Sequence, residues 1–142
     1  MMLKEMRVNA EASQLLNLAS FAAVAAKEAG FDHKQTWRIE LAVDEACANI
    51  IEHAYKGKNG GLITLKIAIE PNKWMQIVVE DQGNGFDPSK IPSVLPVTSL
   101  ENTRVGGMGV HIIRTIMDEV KFEFKIPYVG NRLTMIKKVW SY

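Results

Sequence analysis

The stretch Glu45-Ala46-Cys47-Ala48-Asn49 lies inside a long helical run from about His33 to Lys56. Glu45 and Asn49 are four residues apart, which on a helix stacks a carboxylate and a carboxamide on one face. Apolar residues flank them: Leu41, Ala42 and Val43 before, Ile50 and Ile51 after. A surface helix turns its polar residues to solvent, and the pair alone needs no other reading. Two glycine clusters further along give it one. They are Asp81-Gln82-Gly83-Asn84-Gly85-Phe86 and Gly106-Gly107-Met108-Gly109-Val110.

The first cluster ends a strand. Leu62 to Glu70 and Trp74 to Asp81 both alternate, joined by a turn at Pro71-Asn72-Lys73. Met75, Ile77 and Val79 share one face of the second strand, and Asp81 has the same parity. Its carboxylate therefore points toward the core side, where the strand gives way to glycines. A buried carboxylate must be hydrogen-bonded. Its partners are either the backbone amides of the glycine turn or an exocyclic amine such as adenine N6. Gly83 and Gly85, lacking side chains, let the backbone approach a flat base.

The second cluster opens a helix, Gly107 to Asp118, with Val110, Ile113 and Met117 in phase. A helix start offers free amides and partial positive charge, and so attracts phosphate. A hinge and turn would use the same glycines. No G-x-x-x-x-G-K-[ST] occurs, and no G-x-G-x-x-G opens a helix directly after a strand, which counts against a P-loop or a dinucleotide fold. Magnesium takes oxygen ligands, keeps several waters and leans on substrate phosphates, so the side-chain oxygen of Asn49 suffices for it. Glu45, one turn away, is placed to accept a proton from a nucleophile aimed at a γ-phosphate.

The rest of the chain supplies the frame. Leu3 to Val8 alternates weakly as an edge strand. Ala10 to Ala29 reads as a helix with Leu15, Leu18, Ala22 and Ala25 in phase, stopped by Gly30. Asp32 is the N-cap of the run that carries Glu45 and ends near Gly57. Phe86 to Val105 contains Pro88, Pro92 and Pro96 and no periodicity, so it reads as a lid or binding loop. Val120 to Ile126 and Leu133 to Val139 alternate as strands, with Tyr128 to Asn131 as the turn between them. The order predicts one α/β (α+β) domain over 1–142, a two-layer sandwich with a mixed, mostly antiparallel sheet and helices on one face.

Composition excludes several classes. At 142 residues the chain can bury a core, and 47% apolar with 23% charged residues is ordinary for a globular domain. A net charge of +1 without a basic stripe does not favour nucleic acid. The single cysteine, Cys47, has no internal disulfide partner and fits a reducing compartment. Lys4, Glu5 and Arg7 without a long apolar run make no signal peptide, and Leu15 to Ala26 is too short to span a bilayer. A soluble cytoplasmic protein is the expectation. His33 and His111 carry no signal, and His53 reads as a satisfied helix histidine.

Together the three motifs resemble those of the Bergerat-fold (GHKL) ATPases, the family of gyrase, the ninety-kilodalton heat-shock chaperones, histidine kinases and MutL. Glu45 to Asn49 resembles their N box, Asp81 to Gly85 their D-x-G-x-G box, and Gly107-Met108-Gly109 their second glycine box. Glu-Ala-Cys-Ala-Asn-Ile-Ile-Glu-His-Ala-Tyr and Gly-Gly-Met-Gly-Val look most like the bacterial anti-sigma factor serine/threonine-protein kinases. The resemblance implies ATP and Mg2+ as cofactors, Glu45 as general base, Asn49 as magnesium ligand and Asp81 as adenine anchor. It implies backbone contacts from Gly83, Gly85, Gly107, Met108, Gly109 and Val110, an approach of Thr134 to the adenine, and a phosphate or partner contact from Arg104. It implies a serine kinase that phosphorylates an anti-sigma factor antagonist and binds a sigma factor, with no direct nucleic acid or membrane contact and with room for a homodimer. The alternative is a non-phosphorylating ATP-binding regulatory domain. A split histidine kinase lacks its phospho-acceptor hairpin here, and a gyrase-like ATPase lacks the length for transducer domains.

Overall fold

A computed structural model describes residues 1–55, 60–83 and 107–139. The chain opens with strand β1 (Met2–Asn9), a 3-10 turn at Ala12–Gln14 and helix α1 (Leu15–Ala29). Gly30 ends α1 in the left-handed conformation at φ 103° and returns its N–H to the Ala26 and Lys27 carbonyls, a glycine stop of the usual kind. Helix α2 (His33–Asn49) starts at Asp32, whose side chain accepts from Gln35 N at 2.8 Å.

α2 departs from the sequence reading at its end. The expected helix runs on to about Lys56, whereas α geometry stops at Asn49 and a single π turn covers Ile50–Ala54. Tyr55 N bonds Ile50 O at 3.0 Å to close that wide turn. Hydrophobic periodicity does not distinguish an α turn from a π turn, so this boundary was not legible in advance.

Strands β2 (Leu62–Glu70) and β3 (Trp74–Asp81) occupy the expected ranges. Helix α3 (Gly107–Ile116) leads into β4 (Glu119–Ile126) and β5 (Gly130–Lys138). The sheet order is β1-β2-β3-β5-β4, and every neighbouring pair is antiparallel. Among the described residues the sheet is thus purely antiparallel, not mixed. β5 turns back beside β4 and slots between it and β3, so no parallel crossover is needed. The helices cover one face, and alternate side chains along β2, β3 and β5 are buried beneath them: Ile63, Leu65, Ile67, Ile69, then Met75, Ile77, Val79, then Leu133 and Met135.

Three polar residues share that inward parity, Lys137 at one end of the sheet and the paired Asp81 and Asn131 at the other. Lys137, only 7% exposed, donates from Nζ to Ile116 O at 2.9 Å, at the C-terminal end of α3. Burial, and then Arg38, lower its pKa, while Asp118 works against that shift. A cation at a helix C-terminus opposes the negative end of the dipole and holds α3 against the sheet. Asp81 stands at the other end of the inward face and lines a cleft with Asn49 of α2 and Ile113 of α3.

Candidate functional site

Three elements converge at that end: α2 with Glu45 and Asn49, the last residue of β3 with the turn after it, and the first turn of α3. Their closeness shows at the glycines. A Cβ placed on Gly109 would lie 2.8 Å from Glu45 Oε2 and 3.2 Å from Asn49 Nδ2. The α3 backbone thus rests directly on the Glu45–Asn49 face, and a side chain at this position would drive into it. A Cβ on Gly83 would lie 2.4 Å from Ala54 O in the π turn. That contact is with backbone, which cannot move aside as a side chain can.

Asp81 is 6% exposed and held by two bonds that both end on Oδ1: from Gly83 N at 2.8 Å and from Asn131 Nδ2 at 2.8 Å. No described residue bonds Oδ2. Burial pushes the Asp81 carboxyl above the usual carboxylate range, and the bonds from Asn131 and Gly83 pull it part of the way back. Asn131 also donates to Gly83 O at 3.0 Å and accepts from Lys125 N at 3.2 Å. Lys125 sits at the irregularity in β4, at φ 53°, which turns its N–H toward Asn131.

Asn49 is 4% exposed, and its Nδ2 has no hydrogen-bond partner among the described residues. Asn49 and Asp81 line one cleft with Ile50, Val79, Ile113, Phe122, Phe124 and Asn131. Phe122 and Phe124 stack there at 6.3 Å between ring centroids. About 340 Å³ of space lies within the cleft and its open mouth.

This arrangement, a carboxylate and carboxamide on one helix under the start of another, beside an inward aspartate, agrees with the family comparison. A profile of the histidine kinase-like ATPase domain matches residues 8–137. The chain belongs to that family. It is similar to Serine-protein kinase RsbW of Bacillus velezensis, 27% identical over 123 residues that cover 84% of this chain and 76% of that protein. RsbW of Listeria monocytogenes (strain HCC23) is 34% identical over 103 residues, 70% of this chain and 65% of the relative. Among solved structures, the mycobacterial sensor histidine kinase MprB superposes with a TM-score of 0.55 at 12% identity, over 95% of this chain and 97% of that one. The histidine kinase domain of the Erythrobacter litoralis EL346 blue-light activated histidine kinase gives 0.54 at 17% identity, over 89% and 60%. These two show a shared fold.

Within this histidine kinase-like domain one transferred role needs correction. Thr134 pairs with Val78 across β3 and β5, on the sheet face opposite Asp81. Strand alternation gives the inward places on β5 to Asn131, Leu133, Met135 and Lys137, so Thr134 cannot reach the cleft. Asn131, paired with Asp81 in register, lies on the inward face that Thr134 does not share. It was missed because the sequence places 128–131 in a turn. The parity that singled out Asp81 singles out Asn131 as well.

Other residues divide between described and undescribed parts. Gly107, Met108, Gly109 and Val110 all lie in the first turn of α3, and Val110 is buried. Gly85, Arg104, Gly106 and the expected lid lie outside the described residues. His53 Nε2 lies 3.9 Å from Glu52 Oε2 on the π turn, and His53 is not among the residues lining the cleft. Cys47 is fully buried, and burial, helped by Asp44, pushes its thiol up to about 12. Such a thiol is a packing residue and not a nucleophile.

A metal ion here would lean on the ligand's own phosphates. Among the described residues no group of three or more His, Cys, Asp or Glu could hold one. The residue that could hold magnesium is Asn49, through its side-chain oxygen: it is buried and lies under the close approach of the α3 start at Gly109, while its unmet atom is the amide nitrogen, a donor that does not ligate a cation. Among the described residues no helix is long and apolar enough to cross a membrane, which says nothing of β-barrels.

Proposed function

We propose that the chain is an ATP-dependent serine protein kinase and anti-sigma factor, acting in the cytoplasm on a small antagonist protein and binding a sigma factor. The observation that carries this reading is the approach of Gly109 to Glu45 and Asn49. It brings a helix N-terminus, suited to phosphate, onto a carboxylate and a carboxamide. The serine-kinase names of the relatives support the reaction class.

In this reading Asp81 accepts a hydrogen bond from the adenine amine, and the backbones of Gly83 and of 107–110 line base and phosphates. Asn49 would hold a magnesium ion, which neutralises phosphate charge when bound. Glu45 takes the proton from the serine hydroxyl. The serine oxygen bonds to the γ-phosphorus, the bond to the bridging oxygen breaks, and ADP leaves. Gly85 and Arg104 lie outside the described residues; in this reading the Gly85 backbone also lines base and phosphates, and Arg104 makes a phosphate or partner contact.

The test is γ-phosphate transfer to a serine-bearing antagonist, first with the wild type and then with Glu45→Gln. ATP binding does not require this carboxylate, so affinity should stay within a few-fold. Transfer should fall by roughly a hundredfold or more, the effect of removing a general base. Equal transfer by both proteins would make Glu45 a solvated helix residue. No transfer by a wild type that still binds ATP and a partner would favour the purely regulatory alternative.

A further inference from the structure

The π turn places one side chain that none of the motifs contains. Tyr55 follows Ala54, and its ring lies against the chain at Gly61, where a Cβ would come within 2.4 Å of the Tyr55 ring carbon Cε1. A phenolic hydroxyl offers one proton and accepts two hydrogen bonds. Tyr55 uses all three positions. It donates to Leu62 O at 2.8 Å, accepts from Leu62 N at 3.2 Å, and accepts from Gln82 N at 2.8 Å. Leu62 opens β2, and Gln82 stands between Asp81 and Gly83. One oxygen atom therefore ties the end of the Glu45–Asn49 helical run to the turn that carries Asp81.

The Gln82 bond fixes the plane of the Asp81–Gln82 peptide. The next amide, Gly83 N, is the one that bonds Asp81 Oδ1. Asn131 completes the hold from the other side, on Asp81 Oδ1 and Gly83 O. Among the described residues both bonds to the carboxylate end on Oδ1, and Oδ2 is the oxygen that would meet a ligand in the cleft that Asp81 lines. We infer that Tyr55 is a positioning residue for base selection: through Gln82 N it aims the Asp81 carboxylate at a purine 6-amino group. The inference rests on the nucleotide reading above and adds to it the part that sets adenine against guanine. At that ring position adenine offers a donor and guanine an acceptor. Only an Asp81 held in one orientation turns that difference into a preference.

The test is Tyr55→Phe, which keeps the ring and removes the hydroxyl. Leu62 and Gln82 then bond water at this partly exposed site, so the variant should fold. ATP and GTP affinities are measured for both proteins by calorimetry, with thermal melting and Gln82 amide exchange alongside. The expected result is a loss of about tenfold in ATP affinity, the size of one lost hydrogen bond of the stronger kind, with GTP within about twofold. Gln82 amide exchange should quicken. Equal losses for the two nucleotides would overturn the inference in favour of a general structural knot, as would an unfolded variant. An unchanged ATP-to-GTP ratio would overturn it also. Absence of ATP binding in the wild type would sink the nucleotide reading itself, and this inference with it. ATP binding in the wild type with an unaltered Tyr55→Phe would sink this inference alone.

Discussion

Asn131→Asp exchanges a carboxamide for a carboxylate of nearly the same shape, so it opens no cavity and creates no clash. It reverses one atom's role. Nδ2 donates to Asp81 Oδ1 at 2.8 Å and to Gly83 O at 3.0 Å, and the new oxygen would face two acceptors. Losing a hydrogen bond to a charged partner costs about 1.5–3 kcal/mol and a neutral one about 0.5–1.5 kcal/mol. Two carboxylates at this separation would repel by about 6 kcal/mol at an effective dielectric of about 20. Protonating one of them limits that cost. At pH 7 a carboxyl of ordinary pKa near 4 takes up a proton for about 4 kcal/mol, and the new hydroxyl can again donate to Asp81. The destabilisation relative to wild type should therefore be about 4 kcal/mol at pH 7 and shrink by roughly 1.4 kcal/mol for each pH unit down toward pH 5. The sign follows from linkage: the folded variant binds a proton that the unfolded chain has released, so raising the pH favours unfolding. Urea titrations of both proteins from pH 5 to 8 measure the difference. A difference below about 1 kcal/mol at pH 7, or one flat across pH, would refute the burial and pairing of Asp81 with Asn131.

Gly109→Ala should leave stability within about 1 kcal/mol, since the helix gains propensity and the close neighbour is the movable end of Glu45. It should lower phosphoryl transfer by tenfold or more through displacement of that carboxylate, and a loss of several kcal/mol in a melt would contradict this. Asp81, held above the usual carboxylate range by burial, accepts a hydrogen bond from a base best when ionised. ATP affinity should therefore fall as pH is lowered through that raised value. The same group lowers fold stability as pH rises from the ordinary carboxylate pKa through the raised one, because the folded state holds the proton longer. Calorimetry on wild type and Asp81→Asn across pH 4 to 7 checks this, and an ATP affinity in the wild type that does not change with pH would count against Asp81 as the acceptor.

Local pattern was enough for much of this protein. The alternation of Leu62 to Asp81 set two strands and their inward faces, and with them the burial of Asp81, because side-chain parity is a property of each strand by itself. The cap at Asp32 and the stop at Gly30 needed only local backbone chemistry. The four-residue spacing of Glu45 and Asn49 placed them together on one face of a helix. What tertiary structure decided were contacts between elements distant in the chain. At the end of α2 a π turn sets Ala54 against Gly83 and Tyr55 against Gly61, partners 29 and 6 residues away, contacts that no helical period encodes. Register alone revealed that Asn131 stands opposite Asp81 and that Thr134 lies on the far face. A motif names residues by position along one segment. Which polar group completes a buried carboxylate depends on the strand that pairs beside it, and that pairing exists only once the sheet has formed.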